Sequence, residues 1–129
     1  MSRIRERILV VEDDADGAWI LRQQLQAVGF EVSVAGTGAA ALCEAAERQP
    51  NLVILDVRLP DLSGFEVCRE LRKLYPGWDL PVLMLTGLDE PVSQLRGFAH
   101  GADAYLTKPY DLTELLRTAM LLLGETAAR

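Results

Sequence analysis

Asn51-Leu52-Val53-Ile54-Leu55-Asp56 is the stretch from which the rest of the chain can be read. It is a short apolar run between turn signals, Gln49-Pro50 before it and Leu59-Pro60 after it. Such a run reads as a strand buried on both faces, and strands of that kind belong to parallel sheets sandwiched by helices. Asp56 stands where the strand runs out. In an open parallel sheet the crevice at the carboxyl ends of the strands is where ligands bind. Taken alone, an aspartate in that place more often caps the following turn. The contents of the other strand ends decide the matter.

Working outward, Ile8-Leu9-Val10-Val11 reads as a first strand that stops at Glu12-Asp13-Asp14. Ala18, Leu21, Leu25 and Val28 then recur at helical spacing, and Gly29 ends that helix where a left-handed residue is wanted. Val32-Ser33-Val34 is a second strand, and Gly36-Thr37-Gly38 turns into an Ala-rich helix ending near Arg48. Beyond Asp56, Ser63-Gly64-Phe65-Glu66 is a capping box opening a helix with Val67, Cys68, Leu71, Leu74 and Tyr75 on one side. Trp78, in the loop Pro76 to Asp79, is expected to lid the core edge. Pro81 to Thr86 is a fourth strand, and Pro91 suits the first turn of a fourth helix closed by His100-Gly101. Ala104 to Lys108 is a fifth strand, and a last helix starts at Asp111 to Glu114 with Leu112, Leu115, Leu116 and Ala119 inward. Strands alternating with helices imply an α/β fold, a five-stranded parallel sheet with right-handed crossovers and helices on both faces.

The totals bound the function. A chain of 129 residues is one domain with room for a sizeable core. A net charge of −6 with no basic stripe argues against direct nucleic-acid binding by this segment. No apolar stretch approaches a membrane span and Met1-Ser2-Arg3 leads into a strand, so the expectation is a cytoplasmic protein. Cys43 and Cys68 fall in separate helices and read as reduced packing residues.

Glu12 and Asp13 end the first strand, Asp56 the third, Thr86 the fourth and Lys108 the fifth. With strand order 2-1-3-4-5, three carboxylates would meet at the switch point between strands one and three. Two carboxylates about 4 Å apart at an effective dielectric of ~20 repel by roughly 4 kcal/mol. Such a cluster takes up protons, holds a lysine or binds a metal. Hard oxygen donors suit Mg²⁺, which keeps waters and accepts one or two protein carboxylates plus phosphate oxygens. An aspartate beside Mg²⁺ and a lysine is arranged to attack phosphorus, which would make Asp56 an aspartyl phosphate.

The segments Ile8 to Asp14, Leu55-Asp56-Val57-Arg58-Leu59-Pro60, Leu83 to Gly87 and Gly101 to Pro109, in this order and spacing, resemble the response-regulator receiver domain (CheY-like) of two-component signalling. The resemblance covers residues 7 to about 123, leaving 124–129 as a tail or the start of a linker. It implies a flavodoxin-like doubly wound fold. It also implies Mg²⁺, with Mn²⁺ as a substitute, held by Glu12, Asp13, Asp56 and the backbone carbonyl of Arg58. Asp56 would be the phosphoacceptor, Lys108 the phosphoryl-binding lysine, and Thr86 and Tyr105 the switch pair. Lys108-Pro109 would be a cis peptide. The implied donor is a histidine on a sensor kinase or phosphotransfer protein, and the implied output surface is helix four, strand five and helix five, open to a homodimer or an output domain.

Arg58 and Leu88, two past the acceptor and two past Thr86, are expected to shield the acyl phosphate and slow self-dephosphorylation. Ala119 to Leu123 is apolar on more than one side, as though some of it met a partner. Ala104 and Thr118 replace the acid and arginine of the charge-paired transcription-factor dimer, arguing against that pairing. Gly36-Thr37-Gly38-Ala39-Ala40-Ala41 fits a dinucleotide fingerprint, with Asp56 twenty residues on, but leaves Glu12, Asp13, Thr86 and Lys108 unexplained. A haloacid-dehalogenase-type phosphatase needs a second acid at position 58, where Arg58 stands, so turnover of free substrates is rejected. His100 reads as a solvated helix end, not a phosphodonor.

Overall fold

The β-branched and leucine-rich runs form five strands in the computed structural model, which describes residues 5–87 and 101–127. In chain order the elements are β1 (Arg7–Val11), α1 (Ala15–Val28), β2 (Glu31–Ala35), α2 (Gly38–Glu47), β3 (Leu52–Asp56), α3 (Gly64–Leu74), β4 (Val82–Thr86), β5 (Ala104–Thr107) and α4 (Leu112–Ala127). α4 is the fifth helix of the sequence reading. The expected fourth helix, with Pro91 and His100, lies outside the described residues, as does Leu88. The strands pair in parallel in the order β2-β1-β3-β4-β5.

Side chains alternate along each strand, and the alternation divides the core in two. Ile8, Val10, Leu52, Ile54, Leu83 and Leu85 pack against Leu21 and Leu25 of α1 and Leu115, Ala119 and Leu122 of α4. Leu9, Val11, Val53, Leu55, Val82 and Met84 pack on the other face, against Ala41 and Ala45 of α2 and Phe65, Val67 and Leu71 of α3. Every residue of β3 and β4 is buried, as parallel central strands require.

Helix ends follow their local chemistry. Asp14 caps α1 by accepting from Gly17 N at 3.2 Å, and Gly29 closes it at φ 112°. Thr37 caps α2, and Ser63 supplies its arm of the expected capping box to Glu66 N at 3.2 Å.

Some expectations need correcting. Trp78 does not lid the core: it is 62% exposed in the loop before β4. Val28 and Leu74 are also exposed, and Cys43 lies at the surface while Cys68 is buried. An apolar residue type permits burial without enforcing it. α4 runs through Gly124 to Ala127, four residues into the expected tail, because one glycine costs a helix only about 1 kcal/mol.

Candidate functional site

The alternation that builds one face of the core also builds the site. Ile8 and Val10 point to the α1–α4 side, and two residues on comes Glu12. Leu52 and Ile54 are followed by Asp56, and Ala104 and Leu106 by Lys108. Three strand ends thus deliver two carboxylates and an ammonium to one place. Lys108 Nζ donates to Asp56 Oδ2 and, at 3.2 Å, to Glu12 Oε2. The other oxygen of Asp56, Oδ1, accepts from the Arg58 N–H at 2.9 Å. Backbone bonds hold the three strand ends: Glu12 N to Ala35 O at 3.0 Å, Val57 N to Leu85 O at 3.0 Å and Lys108 N to Thr86 O at 2.7 Å. The Lys108-Pro109 peptide is cis.

Burial works against the Asp56 charge, but hydrogen bonds from Glu12, Lys108 and the Arg58 amide hold its carboxyl below the usual range. Lys108 is likewise opposed by burial, yet Asp56 and Glu12 keep it more basic than a free lysine. Glu12 bears the conflict. Burial, then its hydrogen bond to Asp56 and that residue's charge, push it up to about 7 against the pull of Lys108. The resting arrangement is therefore an anionic Asp56 bridged by a lysine, with Glu12 the member that shares a proton.

Asp13 is not brought into this cluster. It is exposed, two residues past the end of β1, and among the described residues no three acidic, His or Cys side chains are grouped to hold a metal. Two carboxylates meet where three were expected. The donor set still fits Mg²⁺. Glu12 and Asp56 offer hard oxygens in a pocket that disfavours two uncompensated negative charges, and Mg²⁺ needs only one or two carboxylates, completing its shell with water.

Thr86 and Tyr105 belong to the opposite parity. Thr86 is 2% exposed, and its hydroxyl makes a long 3.5 Å contact to Leu106 O. Tyr105, half-buried, packs against the core on the α2–α3 side. On the α1–α4 side, an open groove of about 470 Å³ leads to the cluster between Gly17 and Leu21 of α1 and Lys108, Pro109 and Tyr110.

Two positioning residues escape a sequence reading. Gly64 sits so close to the end of β3 that an added Cβ would lie 2.5 Å from Asp56 O and 2.7 Å from Val57 Cα. Asp61 accepts from Gly38 N at 2.8 Å and Ala39 N at 2.9 Å, tying the loop after β3 to the start of α2. These bonds dispose of the dinucleotide reading, since a carboxylate already occupies the amides that would cradle a pyrophosphate. A glycine and an aspartate after a strand read as turn residues; nothing local says what lies beneath them.

Known proteins resemble this chain in sequence and fold. Residues 8–120 match the response regulator receiver domain family. The chain is 40% identical over 120 residues to the DNA-binding dual master transcriptional regulator RpaA of Synechocystis, covering 93% of this chain and 50% of that protein. It is 45% identical over 121 residues to the response regulator MprA of a Mycobacterium species, covering 94% and 52%. The chain thus spans about half the length of the curated relatives it matches. A CheY-like receiver domain protein from Methanospirillum hungatei superposes with a TM-score of 0.91 at 32% identity, covering 97% of this chain and 98% of that one. The beryllofluoride-activated DrrB receiver domain gives 0.85 at 36% identity, with 94% and 99% covered. With this fold and these strand ends, the chain belongs to the response regulator receiver domain family of two-component signalling.

Proposed function

We propose that this domain accepts a phosphoryl group on Asp56 from a phosphohistidine of a sensor kinase or phosphotransfer protein. The observation that carries the reading is the buried Asp56 carboxylate at the end of β3, held ionised by hydrogen bonds from Glu12 and then the Lys108 ammonium. One carboxylate oxygen attacks phosphorus, the bond from phosphorus to the donor imidazole nitrogen breaks, and the imidazole leaves with that electron pair. Lys108, freed from part of its contact with Asp56, holds a phosphoryl oxygen, and the Arg58 N–H keeps the acceptor oriented. Glu12, Asp56 and the Arg58 carbonyl would hold Mg²⁺, with the exposed Asp13 reaching it through a metal-bound water, and the ion when bound would add positive charge where phosphoryl oxygens gather. The domain acts as a switch and does not turn over free substrates.

An acyl phosphate brings close to two negative charges and new acceptor oxygens. The Thr86 hydroxyl, which makes a long contact to Leu106 O, turns to one of them, and the Tyr105 ring moves into the vacated space. The output is read on the surface around β5 and α4, by a second receiver or an output domain. RpaA is named as DNA-binding, but the net charge of −6 and the absence of a basic stripe speak against such a contact by this segment itself. A cytoplasmic location follows from the donor. Among the described residues no helix is long and apolar enough to cross a membrane. Arg58, exposed beside the acceptor, shields the phosphate, so self-dephosphorylation is slow.

Incubation with acetyl phosphate and Mg²⁺ or Mn²⁺, followed by intact-mass and peptide mass spectrometry, is expected to place one phosphoryl group on Asp56, with none on Asp56→Asn. A label elsewhere sinks the reading, and a phosphate half-life of only seconds sinks the shielding role of Arg58.

A further inference from the structure

We infer that Arg72 and Asp103, at the amino ends of β4 and β5 where the site lies at the carboxyl ends, are positioning residues that set the register of β5 and thereby bring Lys108 to Asp56. The inference rests on the acceptor role of Asp56. Register is firmly specified where one face of a strand is buried and the other is not, and weakly where the two faces are alike. β5 is the weak case. It has four residues, lies at the edge of the sheet, and every one of its side chains is only partly buried. Both of its faces are alike in kind, Ala104 and Leu106 packing on one core cluster and Tyr105 on the other. A slip of one residue would cost little burial, yet it would turn Lys108 to the Thr86 side of the sheet.

A polar clamp supplies what burial does not. Asp103 N donates to Val82 O at 3.0 Å, and Val82 N returns a bond to Asp103 Oδ2 at 2.8 Å, so the first residue of β4 and the residue just before β5 are locked in one pairing. Arg72 at the end of α3 holds the clamp shut. Its Nη2 donates to Asp103 Oδ2 at 2.7 Å, its Nη1 to Leu80 O at 2.7 Å and its Nε to Gly101 O at 2.8 Å. The planar fork reaches all three acceptors at once, which a lysine cannot do. Gly101 is shaped for this contact, with φ 97° and a Cβ position that would fall 2.8 Å from Arg72 Cγ.

The test is a double-mutant cycle in the full chain, with the acetyl phosphate rate at Asp56 and amide hydrogen exchange as readouts. Asp103→Asn is expected to slow phosphorylation by about tenfold or more, as misplacing a catalytic group does. In a Lys108→Ala background it should cause no further loss, because its effect passes through Lys108. The Lys108 amide, bonded to Thr86 O, should lose exchange protection while Val10 and Ile54 keep theirs. Equal fractional losses in both backgrounds, or an unchanged rate, overturn the inference. If Asp103→Asn fails to fold, Arg72→Lys takes its place under the same criteria. A wild-type label absent from Asp56 defeats the acceptor reading instead, and the exchange measurement then decides the clamp alone.

Discussion

Lys108 and Gly64 act on the same carboxylate by different means. Lys108 stabilises charge: with Lys108→Ala, Asp56 keeps its Arg58 amide but loses its cation, and phosphorylation by acetyl phosphate is expected to slow about a hundredfold, as when one preorganised donor is removed. Gly64 provides space, since its missing Cβ would overlap the Asp56 carbonyl oxygen, a backbone atom that cannot swing aside. Gly64→Ala should cost about 1–3 kcal/mol in denaturant melts and slow phosphorylation as well, because the backbone it displaces carries the acceptor. Gly36→Ala is the control. Nothing lies within 4 Å of its Cβ position, so a stability change within about 0.5 kcal/mol is expected. The two residues differ in legibility for the same reason. Glu12, Asp56 and Lys108 continue the alternation of three strands, so their convergence can be read from the chain. The neighbour that crowds Gly64 is known only once the loop from Asp56 has closed on itself.

β1, β3 and β4 are legible as apolar runs because they are buried on both faces, and α1, α2 and α3 because caps and turn residues punctuate them. What cannot be read is the set of bonds that join elements 23 and 31 residues apart, Gly38 N to Asp61 and Arg72 to Asp103, whose partners share no local pattern. The place of Asp13 was beyond reach for a related reason, since its exposure depends on how the chain leaves β1 for the Asp14 cap. Asp61 gives the testable case. Bonds from the Ala39 and Gly38 amides, at a helix end that favours anions, depress its carboxyl below the usual value. A group depressed on folding binds fewer protons in the folded chain. Its contribution is therefore present above the unfolded carboxylate pKa near ~4 and is lost as pH falls through the lower folded value. Asp61→Asn should melt below wild type at neutral pH, and the difference in Tm should shrink on acidification to about pH 2–3. A difference that stays constant with pH would show that the charge of this cap contributes nothing.

On the proposed function, chemistry and readout fall on different faces of one sheet. Glu12, Asp56 and Lys108 lie on the α1–α4 side, while Thr86 and Tyr105, reached through the same strand ends, lie on the other. A charge change at Asp56 can therefore alter packing around β5 without dismantling the groove between α1 and Lys108. The surface left to carry the output is apolar where charge pairs would otherwise be expected. Met120 is 47% exposed and Leu121 61% exposed on α4, while Leu122 and Leu123 are buried beneath them. Covering a large apolar side chain is worth about 1.5–3 kcal/mol. Two such side chains fall well short of the ~800 Å² per partner of a standard stable interface, so a pairing through this face would be weak and concentration-dependent. Sedimentation velocity at high protein concentration, with beryllofluoride and Mg²⁺, is expected to show self-association of the wild type and a monomer for Leu121→Glu. The rate of Asp56 labelling should be equal in the two proteins, because Leu121 is remote from the acceptor. If both proteins sediment alike, this face is not where copies of the domain meet, and pairing through α4 is excluded.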